Sequence, residues 1–63
     1  MCESNAYFKK GNDEELIMGE VCRIDPITGG FKLVGLLGDE MTIKARLEEI
    51  NLMKHKIIFV QDA

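Results

Sequence analysis

Few residues in this 63-residue chain could do chemistry. Its thiol and imidazole donors are two cysteines, Cys2 and Cys22, and one histidine, His55. Cys2 is the most unusual of the three. It directly follows Met1, so its thiol is expected to be exposed, whereas free cysteines are normally among the most buried residues. Initiator methionine is commonly removed before a small residue. Cys2 would then offer an amine and a thiol from one residue, closing a five-membered ring around a metal ion. If Met1 stays, the deprotonated amide of Cys2 closes the same ring at a higher proton cost. The plain alternative is an idle cysteine in a frayed end. Cys22, between Val21 and Arg23, is expected to pack within a strand, and His55, in Lys54-His55-Lys56, to serve a turn. The adjacent carboxylates Asp39-Glu40 and Glu48-Glu49 diverge in an extended strand, which suits a solvated surface better than an acid–base pair. There is no Ser-His-Asp spacing, phosphate loop or Cys-x-x-Cys. No enzyme is predicted.

The elements that must position Cys2 can be read from the turn residues. Lys10-Gly11-Asn12-Asp13, Asp25-Pro26 with Thr28-Gly29-Gly30, Gly38-Asp39-Glu40 and Lys54-His55-Lys56 divide the chain into short runs. That spacing predicts strands rather than long helices. The expected strands are Glu3–Phe8, Glu14–Ile24 with a bend or bulge at Gly19, Phe31–Leu37, Met41–Ala45, Ile50–Met53 and Lys56–Gln61. A short turn is expected near Arg46-Leu47-Glu48. The stretch Thr42 to Met53 also fits a helix, because Ile43, Leu47 and Ile50 fall at helical spacing. Phe31, Leu33, Gly35 and Leu37 should share one face, with Lys32, Val34 and Leu36 on the other. The expectation is one all-β domain over residues 1–63: a small SH3-like or Sm-like barrel of five to six short antiparallel strands, with an OB-like barrel second.

Composition narrows the function. The hydrophobic fraction is 46% and the charged fraction 30%, a globular mix. The longest apolar run is Ile57 to Val60, too short to span a bilayer. The start, Met1-Cys2-Glu3-Ser4-Asn5, lacks the basic and apolar parts of a signal peptide, so a cytoplasmic protein is expected. A net charge of −3 argues against a nucleic-acid binder. Burial of a domain this small is worth about 90 kcal/mol at ~25 cal/mol per Å². Ordering the chain costs almost the same at ~1.5 kcal/mol per residue. A second copy or a metal would relieve that balance, and Val34, Leu36 and Ile58 are the expected exposed apolar positions.

The opening Met1-Cys2-Glu3-Ser4-Asn5-Ala6-Tyr7 resembles the start of the CooT family of small nickel-binding proteins. So do the acidic turn leading into Leu16-Ile17-Met18 and the closing Ile50-Asn51-Leu52-Met53-Lys54-His55-Lys56-Ile57-Ile58. The resemblance implies an accessory protein for nickel delivery to a client such as carbon monoxide dehydrogenase. It implies a homodimer with one nickel shared by the two copies of Cys2. Two N,S chelates supply four donors in one plane, a geometry suited to Ni(II) and Cu(II). Hydrogenase-maturation chaperones of the HypC type also begin Met-Cys, but Glu3-Ser4-Asn5-Ala6 lacks their Gly/Pro-containing stretch. Two non-metal readings contrast with this one. A small-barrel RNA-binding module would need clustered basic residues and free aromatics. A metal-free interaction module would dock a protein on the Phe31–Leu37 face.

Overall fold

The structure, a computed structural model, describes residues 4–61. It is all β: β1 (Ser4–Lys10), β2 (Asp13–Ile27), β3 (Gly30–Gly35), β4 (Glu40–Ile43), β5 (Ala45–Asn51) and β6 (Lys56–Gln61). The strands form one sheet in the order β4-β3-β2-β1-β6-β5. β4 and β5 lie at opposite edges of the sheet, yet only Lys44 separates them in sequence. A flat sheet cannot satisfy both conditions, so the sheet curls into a half-barrel. Gly30 permits the curl, because a Cβ there would collide with the Ile43 carbonyl.

The core lies inside the curl. Ala6, Met18, Val21, Leu33, Ile43, Ala45, Ile57 and Phe59 are buried there, with Phe8, Ile17, Ile24 and Phe31 packed against them. Phe31 and Phe59 come from strands that are not sheet neighbours, yet their ring centres are 5.3 Å apart. Their contact bridges the two sides of the curl. β3 alternates buried Gly30, Leu33 and Gly35 with half-buried neighbours, whereas β6 buries Ile57, Ile58 and Phe59 in succession.

Several expectations change. β6 runs parallel to β1, pairing Asn5 with Lys56 and Phe8 with Phe59, so the sheet is not wholly antiparallel. The chain's passage between edges at Lys44 brings β6 back beside β1 in the same direction. The helical alternative over Thr42 to Met53 is wrong, because that stretch holds the end of β4 and all of β5. The strand expected at Ile50–Met53 is β5, Ala45–Asn51; the turn near Arg46-Leu47-Glu48 is a register shift between Leu47 and Glu49, and Leu52 to His55 form the turn. Asp25-Pro26 is strand, not turn. Proline is tolerated there because, among the described residues, β2 beyond Val21 is flanked only by β3. β3 ends at Gly35, which leaves Leu37 outside the inward face. Ile58 is 4% exposed rather than open to solvent, since Tyr7 of β1 and Glu49 of β5 flank it. The bulge expected at Gly19 is present: the β1–β2 register shifts between Ser4↔Val21 and Ala6↔Met18, a step that spans Gly19 and Glu20, and Glu20 has φ 53°.

Candidate metal centre

Cys2 lies outside the described residues, which begin at Ser4, where β1 enters the sheet between β2 and β6. This end of the sheet is tied together by a row of hydrogen bonds. The Asn5 N–H donates to the His55 carbonyl at 2.9 Å. The Glu20 N–H donates to Asn5 Oδ1 at 3.2 Å, and the Leu36 N–H donates to the Glu20 carbonyl at 3.0 Å. The row fixes the base of the N-terminal segment to the β2 bulge, the β3–β4 turn and the β5–β6 turn.

Two features separate this end from the rest. Glu20 and His55 are the described non-glycine residues with left-handed backbone, φ 53° and 56°, and they flank Asn5 on either side. Such conformations cost free energy and cluster where a fold serves a function. The adjoining turns also expose apolar side chains: Leu36 51%, Leu37 91%, Leu52 75% and Met53 90%.

The other proposed donors fare differently. Cys22 is exposed, so the expectation that it packs is corrected. It occupies an irregularity in the β2–β3 ladder between Val21 and Arg23, where its side chain leaves the regular alternation. Its thiol donates weakly to the Glu20 carbonyl at 3.9 Å. His55 stands in the β5–β6 turn, and its backbone carbonyl accepts from the Asn5 N–H of β1. Among the described residues, no group of three or more His, Cys, Asp and Glu side chains could hold a metal ion.

The basic residues are largely occupied. Lys9 pairs with Glu48 at 3.1 Å, Arg23 with Asp25 at 3.0 Å, Lys32 with Glu40 at 3.6 Å and Lys56 with Glu14 at 2.8 Å. The Lys56 ammonium also sits 5.1 Å from the centre of the Tyr7 ring. Its hydrogen bond to Lys56 holds the Glu14 carboxyl below its ordinary value, and the same bond raises Lys56. Among the described residues, these basic side chains are interleaved with acids rather than clustered.

The sequence profile described as CO dehydrogenase accessory protein CooT matches residues 1–59. This chain belongs to the CooT family. A crystal structure assigned to CooT from Carboxydothermus hydrogenoformans superposes with a TM-score of 0.91 at 29% identity, covering 98% of this chain and 100% of that one. An uncharacterised protein of Methanothermobacter thermautotrophicus is 33% identical over 57 residues, spanning 90% of this chain and 84% of its relative. The family description is that of an accessory protein to an enzyme. No helix of the described residues is long and apolar enough to cross a membrane.

Proposed function

We propose that this CooT-family protein is a non-enzymatic, cytoplasmic nickel carrier. Ni(II) is its cargo, held at a homodimer interface by the thiolate and backbone nitrogen of Cys2 from each chain. The nickel passes to a client enzyme such as carbon monoxide dehydrogenase. The half-barrel is read as a small barrel of SH3-like or Sm-like type whose N-terminal end carries the cargo.

The observation that carries this reading is the character of that end. Family membership supplies the accessory role, and the hydrogen-bonded row from His55 through Asn5 and Glu20 to Leu36 anchors the start of β1. The exposed leucines and Met53 around it are surface that a second copy would cover when two Cys2 residues meet. Two chelates in one plane favour Ni(II), and Cu(II) should compete because it outranks nickel at such donors. Selectivity then depends on which metal is available.

The test is purification without chelator followed by elemental analysis of the natural chain and of Cys2→Ser. Nickel that copurifies with the natural chain and is lost in the variant supports the reading. Nickel retained in Cys2→Ser but lost in His55→Ala would overturn it.

A further inference from the structure

Edges left unpaired among the described residues include β4, the part of β2 beyond Val21, and β5. A free edge presents main-chain N–H and C=O groups that invite another strand, and proteins usually blunt it. β4 is blunted by its four-residue length, and β2 by Pro26. β5 has neither device. It runs seven residues, Ala45–Asn51, without proline, and among the described residues it pairs with β6 alone.

The side chains of β5 show the same opening. Leu47 and Ile50 are cross-strand partners of Phe59 and Ile57, so they lie on the core face of the sheet. Phe59 is 0% and Ile57 8% exposed, yet Leu47 is 43% and Ile50 53% exposed. Core-face residues stay this open where a neighbouring strand is missing. The irregularity between Leu47 and Glu49 sets Glu48 aside and returns Ile50 to the core face. Glu48 and Glu49 are exposed between these two apolar residues. Glu48 meets Lys9 at 3.1 Å, and Glu49 accepts a long bond of 3.4 Å from the Asn51 amide.

We propose that the free edge of β5 docks an extended segment of the client protein, which pairs with it as a further strand. Main-chain hydrogen bonds supply the affinity, and alternate side chains supply the specificity. Apolar residues of the segment cover Leu47 and Ile50, and basic residues between them meet Glu48 and Glu49, since opposite charges across a strand pair stabilise it. A second copy of this chain does not suit the edge. Two copies joined there by a twofold axis through the sheet set their β5 strands antiparallel. Asn5, Lys56 and Asn51 share one rung across β1, β6 and β5. The two Asn5 residues would then lie toward opposite ends of the joined strands, five strand spacings of about 4.8 Å apart across the sheet. The choice of a client over a second copy rests on the proposed function, because a shared nickel needs the two N-terminal ends together. Docking at β5 leaves those ends free to meet.

The experiment titrates the metal-free full chain with a capped eight-residue peptide of alternating valine and lysine and follows the backbone amides by NMR. Two control peptides are used: one with main-chain N-methyl groups at alternate residues, and one with glutamate in place of lysine. The expected shifts are confined to β5 and the β6 residues beside it, and both controls bind about tenfold more weakly or worse. Glu48→Lys combined with Glu49→Lys reverses the preference, favouring the glutamate peptide over the lysine one. Equal binding of the N-methylated peptide, shifts centred on Leu37 and Met53, or no binding at millimolar peptide would overturn the proposal. So would a folded but monomeric Leu47→Lys, Ile50→Lys variant of an otherwise dimeric protein, since β5 would then be the joint between copies. If the lysine peptide binds β5 as expected while the protein takes up no nickel, the nickel reading fails and the docking edge stands.

Discussion

The outer face of the central strands and the N-terminal end of the sheet are built differently. On the outer face, Lys56 of β6 donates to Glu14 of β2 and lies over Tyr7 of β1, so three strands share one satisfied cluster. At the N-terminal end, Leu37 and Met53 stand almost fully in solvent, and Glu20 and His55 hold backbone conformations that side chains disfavour. The body of the sheet meets its own needs within one chain. The end keeps apolar surface and strain that the body does not need for folding.

That contrast predicts that changes in the two regions will separate. The largest effect is at the end: Cys2→Ser abolishes tight nickel binding, seen by elemental analysis, and leaves the melting curve unchanged. Loss of folding in that variant would break the comparison. In the body, Phe59→Ala removes a fully buried ring and costs about 3–5 kcal/mol by denaturant unfolding. A chain this small has little stability to spare, so the variant should be largely unfolded.

At the exposed rim, Leu37→Glu combined with Met53→Glu should weaken the dimer roughly tenfold or more, about 1.4 kcal/mol, measured by sedimentation. The monomer should keep its β spectrum. Glu20→Gly should relieve the left-handed strain and raise stability by about 1 kcal/mol in chemical unfolding. A loss of stability there would mean the Glu20 side chain contributes to the fold.

The smallest effect is at the outer cluster. Glu14 is held below its ordinary value of 4.5, so its contribution is present above that pH and fades as pH falls through the lowered value. Lys56 is raised above 10.5, so its contribution is present below that pH and is lost as pH rises through the raised value. Lys56→Met should lower the melting temperature slightly at neutral pH, with the difference shrinking toward acid. Nickel binding should depend on pH differently, weakening as pH falls because the thiol must lose its proton to bind.

Much of the body was legible in the sequence because its residues obey local rules. Alternation through Phe31, Leu33 and Gly35 marks β3, and Gly29-Gly30 marks the turn before it. What was not legible depends on distant contacts. Ile58 reads as exposed until Tyr7 and Glu49 are seen on either side of it. Asp25-Pro26 reads as a turn, but an open strand edge accepts a proline. Good helix formers from Ala45 to Ile50 hide β5, whose place is set by the crossing at Lys44. Of the proposed site, Cys2 stands out in the sequence by its position alone. The hydrogen-bonded row was not, because left-handed Glu20 and His55 carry no glycine signal. The exposure of Cys22 was also hidden, since the register shift beside it arises between strands.

The most direct test of the central claim is a nickel titration of reduced protein, followed by thiolate-to-nickel charge-transfer absorption with molecular mass monitored by light scattering. The account predicts saturation at one nickel for every two chains, a dimeric mass at the end point, and no band in Cys2→Ser. Saturation at one nickel per chain on a monomer, or an undiminished band in Cys2→Ser, would contradict it.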